Sequence, residues 1–255
     1  MIELENISFE IEEKTILDSI NFSLPKGESL IVIGPNGAGK STLLRIISGY
    51  YRNFKGKVFV NGKDIKNYSP VEISRRISFI PQVYSIFFGI KVFDFLLTSR
   101  FPHKGFLKDF SNSDIERVKK ISEEIGISEF LNRKMDTLSG GELQKVMIAS
   151  ALIQETEIVL FDEPVTFLDP SSQSEVYNLI NKLKKSGKTL IIVSHDLNVF
   201  SFLKGRVLGL KDGRMVFYMK DFRENGNLKN YLEDIFEVRF FEVVKNGRIF
   251  YNFEI

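Results

Sequence analysis

A glycine-rich segment placed directly after a short apolar run is the feature that most limits how this chain of 255 residues can fold. The run SLIVIG, 29 to 34, leads into GPNGAGKST, 34 to 42, and TLLRIISG follows. A continuous apolar run that ends in Gly is typical of a strand buried on both faces. The sequence therefore predicts a strand, a loop and a helix in succession, which is the context in which G-x-x-x-x-G-K-[ST] binds phosphate.

Within this loop, consecutive backbone N–H groups are expected to surround the β-phosphate of a nucleotide. We expect Lys40 to contact the β and γ oxygens and the Ser41 hydroxyl to bind Mg²⁺. The predicted nucleotide-binding residues of the segment are Gly34, Pro35, Asn36, Gly37, Ala38, Gly39, Lys40, Ser41 and Thr42. A glycine-rich turn without function is the weaker interpretation, because lysine, hydroxyl and strand are all in place.

Two later apolar runs, EIVLFDEP and KTLIIVSHD, have the same character and flank a helical segment. Strand, helix and strand at this spacing predict a parallel sheet whose strands end at one edge. Asp162 would reach Mg²⁺ there, and Glu163 would act as general base on the attacking water. We expect His195 to contact the γ-phosphate, and Gln82, after the strand-like run ISFIP, to join the Mg²⁺ and water shell.

The segment LSGGELQKV begins like an ordinary helix, with Ser139 and Glu142 spaced as a capping box. Gly140 and Gly141 occupy its first turn, where each costs about 1 kcal/mol of helix propensity relative to Ala. A helix start with bare amides binds anions well. We therefore expect these four residues to contact a phosphate, and the two glycines to matter to a nucleotide and hardly to the fold.

Phosphoryl transfer needs charge stabilisation on the γ oxygens from the side opposite the glycine-rich loop. The start of this helix provides it if it faces a γ-phosphate, either of its own chain or of another. In a head-to-tail two-fold dimer, Ser139 to Gly141 of each chain would close over the nucleotide of the other chain.

Charge and composition exclude several classes of function. The 35 Lys and Arg residues balance 33 Asp and Glu residues and are scattered, which argues against a nucleic-acid partner. The chain has no Cys, so it has neither disulfides nor thiolate metal sites. The acidic start MIELENISFEIEEK does not resemble an export signal. Apolar runs stay below the roughly 18 residues of a membrane span.

The rest of the chain predicts the surroundings of the sheet. Short alternating runs in the first 62 residues are typical of antiparallel strands. Residues 83 to 155 have helical periodicity and predict an inserted helical subdomain. The final segment, about 230 to 255, contains Asn246-Gly247 between alternating runs and predicts a hairpin. The predicted fold is α/β: a single domain over 1 to 255 with a P-loop NTPase core, a mixed sheet, an antiparallel β subdomain and the helical insertion.

Taken in order, GPNGAGKST, Gln82 after FIP, LSGGELQKV, IVLFDEP, FLD and SHD resemble the ATP-binding cassette (ABC) ATPases over essentially the whole chain. The resemblance implies ATP and Mg²⁺ as ligands and an ATP-dependent, head-to-tail homodimer. It implies the following roles: Lys40 and Ser41 as P-loop ligands, Gln82 as the Q-loop, Asp162 and Glu163 as metal ligand and base, Asp169 as the D-loop contact, and His195 as the switch histidine.

The resemblance also implies polytopic membrane permease subunits as partners, a substrate-binding protein acting indirectly, and a position at the cytoplasmic face of the membrane. RRISFIPQ, KVFDFLLTSRFPH and LKDGRMVF are similar to importer ATPases that serve iron-siderophore, haem and vitamin B12 permeases. The aromatic-rich stretch 84 to 106 is interpreted either as subdomain core or as the groove for a permease's coupling helix. An ABC ATPase of another system, such as iron–sulfur assembly or transport of a different substrate, and an inactive nucleotide-binding module are the alternatives.

Two positions depart from the family pattern. Ile11 stands where an aromatic residue usually stacks on adenine, and Phe9 lies two residues earlier. Because FEI alternates, we expect Phe9 and Ile11 to share a face and to be the candidate adenine contacts. Val165 replaces the Thr that commonly follows the Pro of IVLFDEP, and we expect this change to matter little.

Overall fold

The computed structural model of the protein describes residues 1–82, 88–104, 109–221, 228–245 and 248–253. Its strands, in chain order, are β1 (Ile2–Ile11), β2 (Lys14–Leu24), β3 (Ser29–Ile33), β4 (Lys55–Val60), β5 (Lys63–Asp64), β6 (Ile77–Ile80), β7 (Ile158–Asp162), β8 (Thr189–Val193), β9 (Arg206–Lys211), β10 (Arg214–Met219), β11 (Phe240–Lys245) and β12 (Arg248–Phe253). Its α-helices are α1 (Lys40–Ile47), α2 (Pro70–Ser74), α3 (Val92–Thr98), α4 (Asn112–Ile125), α5 (Gly140–Ile153), α6 (Pro170–Lys185), α7 (Val199–Phe202) and α8 (Leu228–Phe236).

A six-stranded sheet with the order β10-β9-β3-β8-β7-β6 forms the centre. Strands β9, β3, β8, β7 and β6 are parallel, and β10 is antiparallel to β9. Every residue of β3, β7 and β8 is buried, which explains their continuous apolar sequences. The predicted parallel sheet is confirmed. The segments that follow β3, β6, β7 and β8 all leave from one edge, where ligands bind in open α/β sheets.

A second sheet, with the order β2-β1-β4-β5, is antiparallel throughout. Its inner residues, such as Ile7 and Ile20, share a core with Leu43 and Leu44 of α1 and with the central sheet. The predicted antiparallel β subdomain is therefore confirmed. Its packing against α1 fixes the helix that begins immediately after the glycine-rich loop.

Helices α3, α4 and α5 enclose a third core, which confirms the inserted helical subdomain. Val118 and Ile121 of α4 point into this core, and Ile125 packs at its margin. Arg100 connects the three helices, because its guanidinium donates to Asp114 Oδ1 and to the carbonyl of Ile153, each at 2.8 Å. The limits of the subdomain at 83 and 155 stay a prediction.

Strands β11 and β12 form a separate antiparallel pair in which Lys245 is opposite Arg248. This register agrees with a two-residue connection, but the predicted turn at Asn246 and Gly247 lies outside the described residues. Tyr251 anchors the pair to the main body through an edge contact with Phe200, with ring centroids 5.9 Å apart. Within the described ranges, none of the helices is both long enough and apolar enough to cross a membrane.

Candidate nucleotide-binding site

The backbone of the glycine-rich loop between β3 and α1 packs closely against neighbouring strands, and this packing determines the shape of the loop. A Cβ added at Gly34 would lie 2.1 Å from the carbonyl oxygen of Leu210, and one at Gly39 would lie 2.6 Å from Leu17 Cδ2. Gly39 also has φ +94°, a conformation that residues with a side chain rarely adopt. The loop is therefore held against β2 and β9 by contacts that only glycine permits.

Lys40 lies inside this loop and is only 5% exposed. Its ammonium donates to the carbonyl oxygens of Gly34 at 2.8 Å and Pro35 at 2.9 Å. Burial lowers the pKa of Lys40, and the nearby carboxylates of Glu163 and Asp162 act in the opposite direction. A cation held in a partly dry loop interacts strongly with an anion that enters it.

A cavity of about 680 Å³ opens beside the loop. Predicted residues that line it are Asn36, Gly37, Gly39, Lys40, Ser41, Thr42, Gln82 and Glu163. Lys14, Thr15, Ile16, Asp212 and Gly213 line it as well. These five had not been predicted, because they belong to β2 and to the turn between β9 and β10 and carry no motif of their own.

The Phe9 ring lies in the core rather than on the surface beside Ile11. It is 7% exposed and stacks on Tyr51 with ring centroids 4.9 Å apart, whereas Ile11 is 42% exposed. The expectation that both residues share a face is wrong, because the β1–β2 register shifts between Phe9 and Glu10. Ile11 stays a predicted adenine contact at the end of β1, next to Lys14.

Ser41 and Asp162, the residues predicted to bind Mg²⁺ together with Gln82, are in contact. Ser41 Oγ donates to Asp162 Oδ1 at 2.9 Å. Asp162 is 2% exposed, and this burial raises the pKa of its carboxyl group, although the bond from Ser41 opposes the shift. A buried carboxylate beside a hydroxyl supplies the oxygen ligands that hard cations such as Mg²⁺ prefer.

Three polar side chains lie within hydrogen-bond distance of one carboxylate oxygen of Glu163. Gln82 Nε2 donates to Glu163 Oε2 at 2.8 Å, His195 Nδ1 lies 2.8 Å from the same atom, and Thr166 Oγ1 donates to it at 3.0 Å. The backbone of Glu163 has φ +51°, a strained conformation of the kind found at functional sites. The structure thus brings Gln82 and His195 together as predicted neighbours and adds Thr166, which no sequence pattern had indicated.

The start of α5 has the predicted capping box. Ser139 accepts a bond from the backbone N–H of Glu142, and Glu142 Oε2 accepts the N–H of Ser139 at 2.7 Å. Arg133 Nη1 donates to Glu142 Oε1 at 2.8 Å. The Ser139 N–H and then Arg133 hold the pKa of Glu142 below its usual range. Arg133, which had not been predicted, therefore balances the negative charge of Glu142 beside this amide-rich turn.

The two glycines of α5 have different surroundings. A Cβ at Gly140 would lie 3.4 Å from Leu168 Cδ2, which is an ordinary contact. A Cβ at Gly141 would lie 2.6 Å from Ser172 Oγ, which is too close. The expectation that both glycines hardly matter to the fold is wrong for Gly141, because a residue 31 positions later packs against it.

Ser139 to Glu142 and Asp169 are not among the described residues that line the cavity beside Lys40. Asp169 instead caps α6, where its Oδ1 accepts the backbone N–H groups of Ser171 and Ser172. Val165 is 3% exposed and belongs to the main core, so an apolar side chain is accommodated there.

Comparison with known proteins identifies the family. The family model described as ABC transporter matches residues 17–166. The chain belongs to the ABC transporter family. Its fold is that of an ATP-binding cassette, and the chain is an ATP-hydrolysing transport ATPase.

One similar relative is the iron(3+)-hydroxamate import ATP-binding protein FhuC of Bacillus subtilis (strain 168), 36% identical over 83% of this chain and 79% of that protein. A solved chain of a transporter described as of the metal-chelate type, in an inward-facing conformation, has a TM-score of 0.84 at 27% identity and covers 99% of this chain and 96% of its own. A dimeric structure of the cassette MJ0796 bound to ADP and Pi has a TM-score of 0.75 at 28% identity and covers 86% of this chain and 98% of its own.

The different surroundings of the two glycines predict opposite effects on stability. Gly140→Ala should raise the free energy of unfolding by up to about 1 kcal/mol, because the site has room and Ala favours helix. Gly141→Ala should lower it by about 1–3 kcal/mol through the contact with Ser172. Urea denaturation of the two variants measures the difference. Equal stabilities would contradict the packing described for Gly141.

Burial of Asp162 predicts a conflict between stability and metal binding. Because its pKa is raised in the folded chain, the ionised carboxylate costs folding free energy at neutral pH. Asp162→Asn should therefore raise the free energy of unfolding by about 1 kcal/mol at pH 7 in the absence of nucleotide. The gain should shrink as the pH falls through the raised pKa, where Asp162 itself becomes neutral. A less stable variant at pH 7 would contradict this account.

Proposed function

We propose that this chain is the ATP-hydrolysing subunit of an importer for an iron(III) chelate, bound to a membrane permease at the cytoplasmic face. The observation that carries the proposal is the contact between Ser41 and Asp162 beside Glu163, at the mouth of a loop that holds Lys40. The similarity to FhuC, an iron(3+)-hydroxamate import protein, and to a metal-chelate type transporter supports this cargo. It also favours import over a scaffold in iron–sulfur assembly.

The residues of the site have distinct tasks in this proposal. The glycine-rich loop and Lys40 bind the phosphates of ATP, and Ser41, Asp162 and Gln82 are the ligands for Mg²⁺. Bound there, Mg²⁺ would neutralise charge on the β and γ oxygens. Glu163 accepts a proton from the attacking water, and its strained backbone and three bonding partners keep its carboxylate oriented. His195 contacts the γ-phosphate.

The second phosphate contact comes from another copy of the chain. The first N–H groups of α5 have no acceptor within the helix, and Ser139 and Gly140 are exposed. Because this turn does not line the cavity of its own chain, a head-to-tail homodimer is the arrangement that gives it a γ-phosphate. The dimeric MJ0796 structure supports such an assembly. Each ATP would then lie between a P-loop and the partner's helix start.

A permease would contact the helical subdomain through its exposed aromatic residues. Phe88 is 80% exposed and Phe101 is 55% exposed, although Val92 and Leu96 between them are fully buried. Within the described part of the stretch 84 to 106, Val92 and Leu96 therefore fit its interpretation as subdomain core. Phe88 and Phe101 fit its interpretation as a contact for the permease. A substrate-binding protein would act only through the permease.

Replacing Glu163 by Gln should leave ATP binding intact and block hydrolysis, because the P-loop and Asp162 are unchanged while the general base is lost. The variant should accumulate as an ATP-bound dimer, which gel filtration with Mg-ATP measures. Lys40→Ala is the control: it should stay monomeric because nucleotide binding itself is weakened. If the Glu163→Gln chain elutes only as a monomer while it binds ATP, the proposal that each ATP lies between the P-loop of one chain and the helix start of the other is overturned.

The importer assignment predicts that Phe88→Ser separates transport from hydrolysis. In vesicles that contain this chain together with the permease that binds it, ATP-driven uptake of a ferric hydroxamate should fall at least about tenfold relative to the unchanged protein. ATPase activity of the isolated chain should stay the same, since Phe88 lies outside the site. Val244→Ser, at a 69% exposed position of β11, is the matched control. Full uptake with Phe88→Ser would contradict this docking surface.

A further inference from the structure

Helices α5 and α6 pack against each other near their N-terminal ends, and we call this contact the seam. These ends carry the turn Ser139 to Gly141 and the capping residue Asp169, neither of which lines the cavity beside Lys40 of the same chain. At the start of α5, Gly140 faces Leu168 and Gly141 faces Ser172. One turn further, Lys145 Nζ and Glu175 Oε2 form an ion pair at 2.6 Å. The seam therefore runs from the phosphate-binding turn of α5 to the first turn of α6, which Asp169 caps.

Ser172 occupies the centre of this seam and is bonded to Asp169 more strongly than a helix cap requires. Its hydroxyl donates to Asp169 Oδ2 at 2.6 Å, while Oδ1 accepts the N–H groups of Ser171 at 2.9 Å and Ser172 at 3.2 Å. The Ser172 hydroxyl is the largest contribution that holds the pKa of Asp169 below its usual range. Backbone N–H groups alone suffice for an N-cap, so the hydroxyl is an additional constraint on the carboxylate.

The position of this hydroxyl depends on the missing side chain at Gly141. A Cβ there would come within 2.6 Å of Ser172 Oγ and within 3.0 Å of Ser172 Cβ. With a side chain at Gly141, the Ser172 hydroxyl would have to move from its present position. The backbone of the turn predicted to bind a γ-phosphate and the side chain that holds Asp169 are in direct contact.

We propose that Ser172 is a positioning residue, which holds the Asp169 carboxylate for its contact at the dimer interface and couples it to the phosphate-binding turn of the same chain. The proposal rests on the dimer proposed above, in which this turn binds a γ-phosphate only after two chains have met, and on the D-loop role that the family resemblance implies for Asp169. Ser172 itself touches neither nucleotide nor metal. Its effect should therefore be visible in hydrolysis by the dimer and not in ATP binding by the monomer.

Ser172→Ala tests this role, because it removes the hydroxyl and leaves both backbone N–H groups that cap α6. We expect kcat for ATP hydrolysis to fall about tenfold, which corresponds to about 1.4 kcal/mol of transition-state stabilisation. The ATP affinity of the monomer, measured by calorimetry, and the Tm should stay within error of the unchanged chain. Ser172→Thr should restore most of kcat, since it keeps the hydroxyl.

Ser171→Ala is the matched control, because Ser171 binds Asp169 only through its backbone N–H. It should hydrolyse ATP at the unchanged rate. In a Glu163→Gln background, Ser172→Ala should also reduce the fraction of ATP-bound dimer, and Ser171→Ala should not.

Each result has one interpretation. Unchanged kcat in Ser172→Ala would overturn the positioning role, and so would a Tm that falls together with ATP affinity, since this indicates only a damaged helix start. Failure of the unchanged chain and of Ser171→Ala to hydrolyse ATP would instead overturn the proposed function.

Discussion

The site depends on parallel strands that end at one edge of the central sheet. Ser41, at the start of α1, reaches Asp162, the last residue of β7, although β8 lies between β3 and β7. This contact requires the strands to keep their register and α1 to start directly at the end of the loop. The packing of α1 against the antiparallel sheet fixes that start. The chemistry therefore follows from sheet order and from one helix start, and the surrounding subdomains keep both in place.

The charges at this edge are held in an unfavourable state until a ligand binds. Lys40 and Asp162 are both nearly fully buried, and burial shifts the pKa of each toward its neutral form. Each group partly stabilises the other, but neither has the full set of partners that water would supply. In the proposed function, a nucleotide and its Mg²⁺ would supply them. The free-energy cost of burying these charges in the folded chain is thus offset when the nucleotide binds. Binding therefore stabilises the folded state.

Local patterns allowed most of the site to be predicted from the sequence, and tertiary packing decided the rest. Lys40, Ser41, Asp162 and Glu163 could be placed because each lies at a fixed offset from the end of a buried apolar strand. Thr166 and Arg133 could not, since their bonds to Glu163 and Glu142 depend on turns whose shape no short motif encodes. Phe9 was misplaced by a register shift. Gly141 was misjudged because its neighbour, Ser172, comes from a different helix.

The ion pair between Arg133 and Glu142 has a consequence for how two cassettes meet. Because Arg133 pairs with Glu142, this carboxylate repels an approaching phosphate less, and the amide dipoles at the start of α5 have a field that falls off within the first turn of the helix. Two cassettes diffusing freely would gain almost no long-range guidance from this surface. A permease that holds both cassettes would instead supply a high effective concentration. In the proposed importer, closure would then depend on how far the permease separates the two cassettes, and the permease would control the use of ATP.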